Sequence, residues 1–157
     1  MTADDLARLL DRLAPDLDGL AEPWGFIGSA ALIVAGVDWP DCADLDIVTT
    51  AAGAETLATV WRGWQVRDYA PEPDGPFRSR FARYDISPGA VEVMGDFEVR
   101  TPDGWRPLAM GAIVRHRFGN RTWPAPSLAD QLRILRLFGR PKDLAKAAFL
   151  ESRGCAT

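Results

Sequence analysis

The stretch from Gly25 to Thr50, GFIGSAALIVAGVDWPDCADLDIVTT, constrains this chain most, because it joins a glycine turn to a pair of carboxylates inside an otherwise apolar run. Trp24 to Gly28 reads as a short strand, Ser29 to Ala35 as an almost wholly apolar helix ending near Gly36, and Asp44 to Thr49 as a second strand. A helix with no polar face has to be buried. Gly28 and Ser29 fall where the strand passes into the helix, and there unpaired backbone N–H groups and the helix dipole favour an anion such as phosphate. The same two residues would equally serve as a plain turn and helix cap. Asp44 and Asp46, two apart on a strand, point to one face about 6.5 Å apart and can hold a divalent cation, while Leu45 and Ile47 face a core. Two like charges so placed repel one another without a cation, although a solvent-facing strand would also carry this pattern.

A further acid comes from AVEVMGDFEV, where strict alternation sends Val91 and Val93 one way and Glu92, Met94, Asp96 and Glu98 the other. With that strand beside Asp44–Thr49, Glu92 completes a three-carboxylate cradle whose oxygen ligands suit magnesium or manganese, and Asp96 is the reserve third ligand.

The rest of the chain supplies a frame. Thr2 and Asp5 form an acidic capping box ahead of Leu6, Leu9, Leu10 and Leu13, one face of a first helix that Pro15 should kink or end, with Leu17 and Leu20 in a second short turn. Ala54, Leu57, Ala58 and Trp61 mark a helix stopping at Gly63, and 64–69 reads as a strand. After the loop PEPDGP, the segments 77–86 and 90–99 form a hairpin about Ser87, Pro88 and Gly89. Residues 100–126 read as irregular chain with two short strands, one at 113–118. Ser127 and Asp130 cap a helix carrying Leu128, Leu132, Leu135 and Phe138 that Gly139 ends, and Pro141 opens a last helix reaching about Leu150.

Taken together, 157 residues with 47% hydrophobic and 25% charged residues suit one α/β (α+β) domain, 1–157, with a helical C-terminal segment at 127–152. No apolar run is long enough to span a bilayer and the charged opening lacks a signal-peptide layout, so the expectation is a cytoplasmic protein without a membrane partner. Cys42 and Cys155 form no metal or disulfide pattern and read as incidental thiols, and the single histidine, His116, excludes a multi-histidine metal site. A net charge of −4 argues against a nucleic-acid partner held mainly through phosphates, although Arg100, Arg106, Arg115, Arg117 and Arg121 could gather on one face.

Ile27, Gly28 and Ser29, then Asp44, Leu45, Asp46 and Ile47, and finally Glu92 between two valines resemble, in that order, the motif of the nucleotidyltransferase superfamily of the DNA polymerase beta type. The ending, with Arg140, Lys142 and Asp143 after a helix, is similar to the C-terminal segment of its small bacterial members, while the interval from Ser29 to Asp44 is slightly long. The resemblance covers about Trp24 to Leu150, apart from residues 100–126. It implies a nucleotidyltransferase-like mixed sheet with helices mainly on one face and a C-terminal helical pair. It also implies transfer of a nucleoside monophosphate from a nucleoside triphosphate to a hydroxyl of a small molecule or protein. In that scheme Asp44, Asp46 and Glu92 hold Mg2+ or Mn2+, Glu92 also takes the hydroxyl proton, and Gly28 and Ser29 bind phosphates with Lys142 or Arg140 adding positive charge. Arg78 and Arg80 are rival phosphate contacts, and Trp39 or Trp123 could stack on a base. The alternative is a catalytically silent nucleotide-binding or interaction module, completed by a partner protein or a second copy. A D-x-D phosphohydrolase fits less well, since its nucleophile normally ends a buried apolar strand and Asp44 opens one.

Overall fold

The computed structural model describes residues 1–154. The first helix, α1 (Ala3–Asp18), starts at the Thr2/Asp5 capping box and buries Leu6, Leu9, Leu10, Leu13 and Leu17. It runs through Pro15 without ending there. Proline within a helix costs about 3 kcal/mol; burial of Leu17 returns about 1.5–3 kcal/mol, and the Trp61 indole N–H donates to Asp16 at 2.8 Å, tying down the last turn. Leu17 therefore belongs to the same helix face as the residues before it.

β1 (Trp24–Ile27), α2 (Gly28–Val34), β2 (Asp44–Thr49) and α3 (Ala51–Val60) follow, and a 3-10 turn at Arg62–Trp64 leads into β3 (Gln65–Val66). The strand expected over 64–69 is thus only two residues long. β4 (Phe77–Ile86) and β5 (Gly89–Thr101) make the expected hairpin, and the main sheet has the order β1-β2-β5-β4-β3. β2 and β5 are parallel while the other pairs are antiparallel, so the sheet is mixed. Residues 100–126 are more regular than their turn-rich composition suggests. β6 (Gly104–Pro107) pairs with the end of β5, and β7 (Ile113–Phe118) with β8 (Arg121–Pro126) forms a separate two-stranded sheet. Trp123 of β8 packs on Phe26 of β1 at 5.9 Å between ring centroids, which anchors this hairpin to the core.

α1, α2 and α3 cover the sheet face that carries Leu45, Ile47, Val91 and Val93, forming the main core with Trp61 and Tyr84. α4 (Leu128–Phe138) ends at Gly139, whose φ of 65° suits a residue without a Cβ, and α5 (Pro141–Ser152) follows at once. Leu132, Leu135, Ala147 and Leu150 of this pair pack on Leu32 of α2, leaving the junction over the opposite sheet face. No helix among the described residues is long and apolar enough to cross a membrane. Cys42 is buried, which pushes its thiol up to about 11, and Cys155 lies outside the described residues.

One irregularity decides where side chains go. The β4–β5 register shifts between Arg78 and Arg80, and Asp96 takes a φ of 49°. This bulge gives β5 one extra residue, so the residues on the face of Glu92 and Met94 are followed by Phe97 and Val99 rather than by Asp96 and Glu98. Beside it, a Cβ on Gly95 would meet the Ala54 Cβ at 2.8 Å and the Ala51 Cα at 3.0 Å, so the glycine lets α3 lie close to the sheet. Gly95→Ala should therefore cost about 1–3 kcal/mol through overpacking; an unchanged urea midpoint would contradict that contact.

Candidate active site

Asp44, Asp46 and Glu92 lie on neighbouring strands. In the parallel β2–β5 register Asp46 sits beside Glu92 and Asp44 beside Ala90, so Asp46 and Glu92 are one strand spacing apart, about 5 Å. Ile27 is the partner of Asp46 on the other side, and the chain turns there into α2. Gly28 makes that turn with φ of 70°, and a Cβ on it would stand 2.6 Å from an Asp46 carboxylate oxygen. Only glycine meets both demands.

The three acids open into a cleft of about 690 Å³. Gly28, Ser29 and Trp39 line it near the carboxylates, Lys142 and Lys146 enter from α5, and Phe77 and Phe138 from the far end. Crowding shows in the acids' affinity for protons. Asp46 is held well above the ordinary aspartate range, first by burial and then by the charges of Asp44 and Glu92, with Lys146 and Lys142 opposing. Glu92 is raised by burial and by Asp44, while Arg83 and the Tyr69 hydroxyl pull it down. Lys146 is shifted the other way, lowered by burial although Asp143 and Asp46 favour its charge.

Arg83 supplies the positive charge within hydrogen-bonding reach of two of these acids. It sits opposite Glu92 in the β4–β5 hairpin and donates through Nη1 to Glu92, and also to Asp44 at 3.4 Å. Its guanidinium lies 4.7 Å from the centre of the Tyr69 ring. Among the described residues, no three His, Cys, Asp or Glu side chains are already gathered at metal-binding spacing. The donor set nevertheless suits a hard divalent cation, being wholly carboxylate and crowded on one face, with Asp46 and Glu92 raised in proton affinity by burial and then by neighbouring carboxylates.

No family model and no curated protein matches the sequence. Solved structures do match in shape. A Thermotoga maritima protein provisionally described as a nucleotidyltransferase superposes with a TM-score of 0.77 at 23% identity, over 97% of this chain and 94% of that one. The fold is that of a nucleotidyltransferase. The lincomycin-bound lincosamide antibiotic adenylyltransferase LnuA gives a TM-score of 0.63 at 14% identity, covering 96% and 97% of the two chains. The antibiotic-resistance factor ANT(2'')-Ia gives 0.63 at 11% identity, covering 97% and 85%.

Within this nucleotidyltransferase fold, several residues singled out from sequence fall elsewhere. Asp96, the reserve ligand, is turned by the bulge toward α3, where its carboxylate accepts from the Ala51 N–H at 3.0 Å. Arg80 points to the same side and donates to Glu55 of α3 at 2.8 Å. Arg78 borders the cleft but is paired with Glu98. Trp123 is buried in the core, so only Trp39 of the two tryptophans is available for stacking in the cleft. Arg140 lines the cleft with both its Nε and Nη2 on the buried Asp143, at 2.6 and 3.0 Å. His116 contacts the Pro126 carbonyl oxygen within the β7–β8 hairpin at 3.3 Å, outside the cleft. The five arginines of 100–121 are split between β5–β6 and the separate β7–β8 sheet.

Arg83, Tyr69 and Lys146 are the residues that sequence reasoning missed. For Arg83 a signal was present: a tight turn at Ser87-Pro88 pairs Ile86 with Gly89, and counting back along both strands pairs Arg83 with Glu92. Lys146 follows Lys142 by one helical turn, so both share a face.

The raised carboxylates have a pH consequence. An acid whose proton affinity rises on folding favours the folded state at low pH and opposes it once deprotonated. The penalty from Asp46 therefore develops as pH climbs above the ordinary aspartate value of 3.8. Asp46→Asn should raise Tm at pH 8, by on the order of 3 °C, and leave it nearly unchanged at pH 3. A lower Tm at pH 8 would contradict the crowding.

Proposed function

We propose that the protein is a divalent-cation-dependent nucleotidyltransferase that joins a nucleoside monophosphate to a hydroxyl of a small molecule. The observation that carries this reading is the placement of Asp44 and Asp46 beside both Glu92 and the Gly28–Ser29 turn, in a cleft that Lys142 and Lys146 also line.

In this reading Asp44 and Asp46 hold the cation with Glu92 beside them, and Ser29 with Lys146 and Lys142 receives the phosphates. A divalent cation bound there offsets phosphate charge and makes the acceptor hydroxyl more acidic. Lys146 suits phosphate better than Lys142, because it is already desolvated and an anion restores its preference for the charged form. Arg140, engaged by Asp143, positions the α4–α5 junction over the cleft through its stacking on Phe77 and Phe138. The acceptor oxygen forms a bond to the α-phosphorus while the bond from that phosphorus to the β-bridging oxygen breaks, and pyrophosphate leaves. Glu92 takes the hydroxyl proton. Its raised proton affinity makes it a better base than an exposed carboxylate.

The cleft volume of about 690 Å³ accommodates small ligands, which supports a small acceptor. The lincosamide antibiotic adenylyltransferase and the antibiotic-resistance factor among the similar structures fit that choice. The donor is a cytoplasmic metabolite, and that is where we place the reaction.

The test is pyrophosphate release from each nucleoside triphosphate with Mg2+ or Mn2+ and a pool of hydroxyl compounds. Asp44→Asn and Asp46→Asn should each lower the rate by about 10²-fold or more. Lys146→Met should raise KM for the triphosphate about 10- to 100-fold, the worth of a hydrogen bond to a charged group. A second arm follows melting temperature: triphosphate should stabilise the parent only with the cation present, and not stabilise the two Asp→Asn variants. Cation-dependent stabilisation without turnover of any acceptor would favour the silent module. No stabilisation and no release would overturn both.

A further inference from the structure

We infer that Arg83 takes the place of a second divalent ion, so that the resting site holds one ion at Asp44 and Asp46 while the guanidinium holds Glu92. This inference rests on the proposed cation-dependent transfer and specifies how that site divides its charge.

Three observations carry it. First, Nη1 of Arg83 reaches both Glu92 and Asp44, the latter at 3.4 Å, so it occupies the space between the two acids that a bridging ion would need. Second, the guanidinium is held from outside as well, lying 4.7 Å from the Tyr69 ring centre, and Tyr69 itself packs on Phe81 at 5.8 Å. A planar cation stacked on an aromatic face is positioned, and it keeps more than one donor available. Third, the partnership is built into backbone register, because the hairpin sets Arg83 directly across from Glu92. Among the described residues no arginine is paired with Asp46. The cations that lower its proton affinity are Lys146 and Lys142, which line the cleft where phosphate would enter.

The charge division has a chemical consequence. Arg83 bonds Glu92 through Oε1, so the two oxygens of the base are no longer equivalent. A second metal on Glu92 would compete for both oxygens. Arg83 is thus a positioning residue: it holds the base and balances its charge without touching the reacting phosphorus.

The experiment counts ions. Free Mn2+ is followed by electron paramagnetic resonance during titration of the metal alone into the parent, Arg83→Gln and Arg83→Lys, with circular dichroism melts confirming that each is folded. The expected result is one ion per chain in the parent, two in Arg83→Gln, and one in Arg83→Lys, whose ammonium restores the charge. Two ions in the parent, or one in Arg83→Gln, overturns the inference and leaves the transfer reading intact. No ion in any of the three removes both. Should Arg83→Gln fail to fold, the parent still decides: its Arg83 Nε–H nuclear magnetic resonance signal should persist through a Mg2+ titration, and its loss to solvent exchange would show that the metal displaces the guanidinium.

Discussion

Asp46 is the residue around which the rest of this protein is arranged. The parallel pairing of β2 with β5 places it one strand spacing from Glu92, and the antiparallel pairing with β1 places Ile27 and the turn to α2 on its other flank. Gly28 is there because no side chain fits against the Asp46 carboxylate. Leu45 and Ile47, on either side of it in the chain, are fully buried in the core beneath, so the strand cannot turn to relieve the charge. The crowding of negative charge is thus fixed by the hydrophobic pattern of the same six-residue strand.

That arrangement makes stability and function oppose one another at this site. Burying three acids on one sheet face raises the proton affinity of Asp46 and Glu92 and weakens the fold near neutral pH. Arg83, Lys142 and Lys146 offset part of the charge. They come from a hairpin strand and from the last helix, so formation of the C-terminal pair over the cleft also settles its electrostatics. An incoming cation and an incoming triphosphate complete the balance with opposite signs, which is a physical reason for them to bind together.

Much of this was legible in the sequence. The β2 boundaries, the Gly28 turn, the β4 strand and the α4 stop at Gly139 follow from alternation, glycine placement and capping residues that act over a few positions. The strands carrying Asp44, Asp46 and Glu92 are neighbours, with Asp46 beside Glu92. What escaped depends on information that local pattern does not hold. The Asp96 bulge reverses alternation partway along β5, so Asp96 turns toward α3, while Arg80 reaches α3 by plain alternation with Ala82 and Tyr84 on β4. Pro15 stays helical because tertiary burial of Leu17 and the Trp61–Asp16 hydrogen bond together offset a local penalty. Residues 100–126 form strands despite their prolines and glycines because β6 finds an edge of β5, and Trp123 gives the β7–β8 hairpin a core to pack on. Lys146 carries no local signal, since its burial depends on α5 lying over the cleft.

The central claim is that the face bearing Asp44 and Asp46 binds a cation and a triphosphate together. Crystals grown with Mn2+ and a nonhydrolysable nucleoside triphosphate, examined by anomalous scattering at the manganese edge, address it directly. The account requires an anomalous peak in contact with Asp44 and Asp46, with phosphate density running from it toward Ser29 and Lys146. A nucleotide bound away from these aspartates, or manganese found only elsewhere on the surface, would contradict it.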